Sequence, residues 1–352
     1  MKTAVVILNW NTAGYLKRWL PGLLASCDGL DAGVIVADNA SMDGSLELLR
    51  SGFPQVRVIE LDYNYGFTGG YNRALGSVDA EYFVLLNSDV DVPEGWLQPL
   101  VDWMDSHPEC AVCGPKLHAL SPNYSRTDEF EYAGAAGGFM DRFGYPYCRG
   151  RVLSRTEDDL GQYDEPRPVQ WVSGACLMVR ASVWNQLGGL DDRFFAHMEE
   201  IDFCWRARLA GYTVEVVPAS TVWHLGGGTL SQDSPVKLKL NYRNNLLMLD
   251  KNLPACSGPF RTRLVIFTRM VLDGFSALVY LVTSRPECFR AVVEAHREYR
   301  AKRGQAVPSV ASDRPDRTGY GSKIMILPLA FLLGGRIFKY LKRYEDSHCG
   351  SR

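Results

Sequence analysis

The sequence predicts an α/β protein, Rossmann-like, with a mostly parallel sheet covered by helices on both faces. Three observations predict it. Short runs that are almost wholly apolar, AVVIL (4–8), GVIVAD (33–38), VRVIEL (56–61) and YFVLL (82–86), recur through the first hundred residues, as strands buried on both faces do. Helical patterns separate them, the alternation that parallel strands need for their crossovers. Polar residues suited to a nucleotide follow three of the runs: Asn9 to Asn11, Asp38 and Asn39, and Asp89 with Asp91. Ligands of doubly wound sheets gather at the carboxyl ends of strands, whereas any one of these residues alone reads equally as a turn former or cap.

Taken in order, AVVIL leads into a helical stretch carrying Tyr15, Leu16, Trp19, Leu20, Leu23 and Leu24. GVIVAD is followed by the helix SLELLRSG, with Ser41 or Asp43 placed to cap it. VRVIEL precedes a Gly/Asn-rich loop and a short helix, after which YFVLL is the fourth strand. Residues 120–168, rich in Gly, Tyr and Arg, read as an insertion, and QWVSGACLMVR then resumes the strand pattern. FFAHMEEIDFCWRARLAGY reads as helical, with Asp202 and Arg206 spaced for an i, i+4 pair, and TVEVVP as a short strand. From about residue 236 long helical patterns take over: KLNYRNNLLMLDKNL, RTRLVIFTRMVLDGFSALVYLVT and IMILPLAFLLGGRIFKYLKR. The second is interrupted by Arg269 and Asp273, and the third has 12 uncharged residues before Arg336, so neither qualifies as a spanning helix. Two readings stay open for this tail: packed core helices, or contact with a membrane surface through residues 324–343, where Arg336, Lys339, Lys342 and Arg343 flank the apolar run.

Composition excludes several classes. With 352 residues and 46% apolar residues the chain supports a large core and is not disordered. A formal net charge of −2 gives no electrostatic basis for binding nucleic acid. Nine cysteines show no framework spacing, and the lone pair Cys110 and Cys113 lies in a strand-like stretch; they read as reduced thiols of a cytoplasmic protein. The N-terminal apolar run of five residues is shorter than a secretion signal requires.

Two carboxylates one residue apart at a strand end suit a hard divalent cation, Mg²⁺ or Mn²⁺, whose shell substrate phosphates complete. In an extended chain Asp89 and Asp91 point the same way and Val90 packs behind them. His224, after Trp223, reads from local pattern alone as a core histidine.

Seven stretches occur in order: VVILNWN, VADNASMDGS, NYGFTGGYNRAL, LLNSDVDV, WVSGACLMVR, FFAHMEEIDFCWRARLAGY and VWHLGGGT. Together they resemble the family 2 glycosyltransferases of the GT-A fold, particularly bacterial rhamnosyltransferase-like members. The resemblance covers about residues 1–250, implying a transferase domain over 1–235 with the insertion, and a helical C-terminal region over 236–352. It implies that Asn9, Asp38 and Ser88 bind the nucleotide-sugar donor, with Gly66, Gly69 and Asn72 lining a loop against it. Trp171, Ser173 and Gly174 match a loop near the sugar and acceptor. Asp89, Asp91 and His224 match a metal site, with Asp91 the expected direct ligand; Asp43 matches a structural position. Glu200 matches the catalytic base, although Glu199-Glu200 stands where Glu-Asp is common. The implied reaction is inverting transfer from dTDP-rhamnose or a UDP-sugar to a saccharide or lipid-linked acceptor in cell-surface polysaccharide synthesis. Glycines 226–228 are expected to let the segment after His224 close over the donor. A sugar-nucleotide pyrophosphorylase is the alternative enzyme, but NWNTAGYLKRW lacks the Gly-rich basic loop that a triphosphate requires. An inactive nucleotide-sugar-binding protein is the alternative binding module.

Overall fold

The computed structural model describes residues 1–226, 234–305 and 323–348; glycines 227 and 228 of the expected closing segment lie outside them. The first half alternates as the sequence predicts: β1 (Thr3–Asn9), α1 (Ala13–Cys27), β2 (Ala32–Asp38), α2 (Ser45–Gly52), β3 (Arg57–Glu60), α3 (Gly66–Leu75) and β4 (Tyr82–Leu86). Strand β1 lies between β2 and β4, parallel to both, which sets Asn9 level with Asp38. Successive β1 side chains face opposite layers. Ala4 and Val6 pack in one core with Tyr71, Trp184 and Phe203, whereas Val5 and Ile7 pack in the other with Leu16, Leu20, Leu49 and Leu100.

The chain continues through β5 (Val90–Asp91), α4 (Gln98–Ser106), β6 (Cys110–Leu120), β7 (Arg126–Phe130), β8 (Gly138–Met140), β9 (Pro146–Cys148), β10 (Arg151–Val152), β11 (Arg155–Thr156) and β12 (Arg167–Pro168). It then forms β13 (Cys176–Arg180), α5 (Ala181–Leu187), α6 (Glu199–Leu209) and β14 (Thr213–His224). The main sheet runs β12-β14-β6-β13-β4-β1-β2-β3, with β5 added to β14 and β7 to β6. Strand β13 is antiparallel to β4. The residues that precede it therefore arrive at the carboxyl end of β4, where the Asn87 amide donates to Ala175 O at 2.9 Å. Within the expected insertion, β8 to β11 form a separate four-stranded sheet whose Phe139, Tyr147 and Val152 join the same core.

The tail is α7 (Pro235–Val282), α8 (Pro286–Lys302), α9 (Ile326–Leu333), a 3-10 turn (Gly334–Arg336) and α10 (Ile337–His348). Helix α7 breaks at Gly258, whose φ is 75°, the left-handed region that glycine enters at little cost. Its first half packs against the transferase body. Leu246 to Leu249 and Leu253 pack in the core that contains α6. Lys251 Nζ bridges Asp191 and Asp202 at 2.7 Å each, and Asn252 Nδ2 donates to Asp202 Oδ1 at 2.8 Å. A boundary at 235 would cut these buried ion pairs.

Candidate active site

At the carboxyl ends of β1 and β2, Asn9 Nδ2 donates to Asp38 Oδ1 at 2.7 Å and to Ser41 Oγ at 3.0 Å, while the Ser41 amide donates to Asp38 Oδ2 at 2.9 Å. The Thr12 hydroxyl joins Asn9 Oδ1 to Ser88 Oγ, 2.9 Å away. Asn9, Asp38 and Ser88 therefore form one polar network, which satisfies groups that would otherwise be costly to bury. Asp43 plays the structural part expected of it, accepting from the amides of Ala13 and Ser45 at the starts of α1 and α2.

The two carboxylates after β4 part company. Residues 88 and 89 form a turn and extension resumes only at Val90, so the alternation that would align Asp89 with Asp91 does not apply. Strand β5 pairs antiparallel with β14, setting His224 opposite Val90 and Trp223 opposite Asp91. Asp91 therefore shares the Trp223 face, where Arg126 grips it with Nε at 2.7 Å and Nη2 at 3.1 Å and lies 4.5 Å over the Trp223 ring. Asp89 is the residue that meets His224, with Oδ1 3.2 Å from Nε2. The Asn87 side-chain Nδ2 stands 3.5 Å from the same nitrogen. On the other side of the ring Glu131 Oε1 lies 3.2 Å from Nδ1. Burial opposes a charged His224, but Asp89 and Glu131 outweigh it and raise its pKa to about 10.

This set fits a divalent cation. Two cis ligands of one octahedral ion stand about 3 Å apart, close to the Asp89–His224 spacing, and a carboxylate on the far ring nitrogen is the usual support of a metal-ligating histidine. Among the described residues no three His, Cys, Asp or Glu side chains form a complete cage. Asp89 rather than Asp91, the expected direct ligand, is therefore the carboxylate that faces His224, and no local pattern announced Glu131 or Asn87 beside the same ring.

Glu200 sits in the first turn of α6. The preceding residues, expected as helix, are not helical: Phe195, His197 and Met198 have φ of 66°, 71° and 71°, a conformation that disfavours side chains with a Cβ and collects at functional sites. Helix α7 holds them there. Asn244 Nδ2 lies 3.0, 2.8 and 2.7 Å from the carbonyl oxygens of Phe194, Ala196 and His197, and Arg243 Nη2 donates to those of Arg193 and Phe194 at 3.2 and 2.8 Å. One carboxylate oxygen of Glu200 and one of Glu199 are buried without a hydrogen-bond partner. Burial pushes Glu200 up to about 7, and burial together with the Glu200 charge raises Glu199 well above the ordinary glutamate range. Glu199 is enclosed, whereas Glu200 is half-buried. Asp202 turns inward to Arg206 Nε at 2.8 Å, as its spacing predicts. Gly174 lies against Glu200: a Cβ there would stand 3.5 Å from Glu200 Cβ.

Four residues expected near the donor make close contacts within the chain. A Cβ on Gly66 would come within 2.4 Å of the Phe195 ring, and the amides of Phe67 and Thr68 donate to Phe195 O at 2.7 and 3.2 Å. The start of α3 is thus filled by the strained segment rather than left open to phosphate. A Cβ on Gly69 would meet Tyr65 at 3.0 Å. The Asn72 carboxamide is spent on Leu190 and Asp192. Trp171 is buried, its ring against Gly138 and its indole N–H donating to Phe139 O at 3.2 Å. Ser173, in contrast, lies beside Gly174 at the carboxyl end of β4, packed on Gly134. Cys148 feels the charges of both Glu131 and Glu200, so the two carboxylates lie near one buried thiol.

The profile described as Glycosyl transferase family 2 matches residues 4–187. The chain belongs to this family. A curated relative, the N-acetylglucosaminyl-diphospho-decaprenol L-rhamnosyltransferase of Mycobacterium tuberculosis, is 26% identical over 256 residues, covering 70% of this chain and 83% of that protein. The low-salt glycan biosynthesis hexosyltransferase Agl10 of Haloferax volcanii is 27% identical over 214 residues, 58% of this chain and 61% of that protein. Among solved structures, the mannosyltransferase PcManGT from Pyrobaculum calidifontis, in complex with GDP-Man and Mn²⁺, superposes with a TM-score of 0.51 at 14% identity, covering 97% of this chain and 83% of that one. GalNAc-T7 with UDP, GalNAc and Mn²⁺ gives 0.52 at 16% identity, covering 71% and 48%. The fold is GT-A, and this family 2 enzyme is a glycosyltransferase.

Proposed function

We propose that this glycosyltransferase is an inverting, divalent-cation-dependent enzyme. It moves a sugar from a nucleoside-diphosphate donor, dTDP-rhamnose or a UDP-sugar, to a lipid-linked or saccharide acceptor in cell-surface polysaccharide synthesis. The observation that carries the reading is the pairing of two features: a half-buried carboxylate with its pKa near neutrality, Glu200, and a buried Asp89–His224 pair fit for a cation. A general base works best when its pKa lies near the working pH. Glu200 takes the proton of the acceptor hydroxyl while that oxygen bonds to the anomeric carbon and the bond to the diphosphate breaks. Asn9, Asp38 and Ser88 position the nucleotide, Asp89 and His224 would hold the cation, and Glu131 would keep His224 oriented towards it. A cation held there would supply positive charge against that gathering on the departing diphosphate.

The lipid-linked acceptor and rhamnosyl transfer in the name of the mycobacterial relative support the choice of dTDP-rhamnose and a polyprenyl-diphosphate sugar as first substrates. Release of nucleoside diphosphate from a panel of nucleotide sugars, with the anomeric configuration of the product read by NMR, tests the proposal. The expected result is transfer from one donor with inversion and loss of activity in excess chelator. Retention of configuration, or undiminished transfer in chelator, contradicts it.

A further inference from the structure

The second half of α7 presents an apolar stripe that the transfer chemistry does not use. Phe260, Leu264, Phe267, Val271, Phe275 and Val282 recur at helical spacing and all are exposed, Phe260 at 82% and Val282 at 84%. An 18-residue window of α7 has a mean hydropathy of 1.7 with only 28% of it buried. The stripe is about 33 Å long at 1.5 Å per residue, far beyond the isolated apolar residues that protein surfaces normally carry. Helix α9 adds Phe331 and Leu332, exposed at 91% and 80%. Both helices are fastened to one loop of the body: Phe143 O accepts from Arg269 Nη1 at 3.2 Å, and Asp141 Oδ2 accepts from the Ile326 amide at 3.0 Å.

The opposite face of α7 excludes a spanning role. Arg269 and Asp273 are buried there, Arg269 lying 3.6 Å over the Tyr145 ring and Asp273 Oδ2 3.3 Å from His296 Nε2 of α8. Lipid cannot surround a helix held along one side by the body. Charge identifies what covers the free side. Residues 258–352 carry 17 Lys and Arg against 8 Asp and Glu, while residues 1–257 carry 21 against 32. Arg261, Arg263, Arg336 and Lys339 are exposed beside the apolar residues. A second copy of this chain would match the stripe in polarity but would set two basic tails against each other. An anionic bilayer surface satisfies both the apolar and the basic features.

We propose that the exposed face of α7 from Phe260 to Val282, joined by Phe331 and Leu332, seats the enzyme on an anionic membrane surface, with the helix lying in the headgroup plane. The run at 324–343 then contributes a corner of a surface built mainly by α7. The proposal deepens the reading of a lipid-linked acceptor, and its primary readout is lipid binding, so it can fail while the transfer chemistry stands.

The test is sedimentation of the purified full chain with phosphatidylglycerol–phosphatidylcholine vesicles and with phosphatidylcholine alone. The expected result is binding to the anionic vesicles that high salt releases. A double variant, Phe267→Asp with Phe275→Asp, should bind at least about tenfold less, with its thermal unfolding midpoint and its nucleoside-diphosphate release on a water-soluble acceptor unchanged. Absence of wild-type binding at low salt, or equal binding by the double variant, overturns the proposal. So does a wild-type dimer in the absence of vesicles that the same two substitutions split into monomers, since the face would then be a self-interface.

Discussion

At Asp89 and Asp91 a one-residue step decides which carboxylate meets His224. Side-chain parity holds only while the chain is extended, and the turn at Ser88 and Asp89 breaks it before β5 begins. Asp89→Ala should therefore weaken Mn²⁺ binding and turnover far more than Asp91→Ala, which mainly frees the half-exposed Arg126; titration calorimetry with Mn²⁺ and UDP separates them. Equal losses from both would restore Asp91 as a ligand. Glu131 supports the histidine from the far ring nitrogen, and removing such a partner costs about 10- to 100-fold in metal affinity or activity. Glu131→Gln should show a loss of that size without unfolding. No sequence signal marked Glu131, because its role comes from the approach of β7 to the end of β14. Glu200 also makes a stability prediction. Its folded pKa, about 7, lies above an unfolded glutamate near 4.3. Its contribution is fully present below the unfolded value and is lost as pH rises through about 7. Glu200→Gln, which never ionises, should melt higher than wild type at pH 8 and show no such advantage at pH 4, by calorimetry at the two pH values.

Among the elements, the segment from Phe194 to Met198 is where local pattern and structure diverge most. FFAHMEE carries helix-forming residues and reads as helical, yet three of its residues adopt positive φ because Arg243 and Asn244 capture its carbonyls from α7. Only the tertiary fold creates those contacts, so no local rule finds them. The same segment explains Gly66, whose missing side chain admits Phe195 rather than a phosphate. Asn244→Ala should relax the segment and misplace Glu200, lowering the transfer rate by about 10²-fold while donor affinity stays near wild type. Asn244→Asp should be worse, because a carboxylate would face three carbonyl oxygens. If Asn244→Ala leaves the rate intact, α7 does not position the base. By contrast β1, β2, β4 and α2 follow their apolar runs to within a residue, since a doubly covered parallel sheet writes its strands as continuous Val/Ile/Leu.

For the whole molecule, the sequence located the sheet and the family, while buried ion pairs cross its expected division at residue 235. The tail differs from the rest in composition, which suggests a separate unit, but Lys251 and Asn252 neutralise and hydrogen-bond Asp202 within the core. Ending the chain at residue 235 should therefore leave buried Asp191 and Asp202 short of partners and abolish cooperative unfolding, as followed by near-ultraviolet circular dichroism. A stable, folded truncation would mean that the two-unit division was right. The claim on which the functional account rests is that Glu200 is the base that activates the acceptor. The rate of sugar transfer against pH, in wild type and Glu200→Gln with donor affinity measured alongside, tests it most directly. The account predicts a wild-type rate that rises through about pH 7 and levels off. It also predicts a Glu200→Gln enzyme slower by about 10² to 10⁴, with no such rise and with unchanged donor affinity. A Glu200→Gln enzyme within a few-fold of wild type, or one that has lost donor binding, would contradict it.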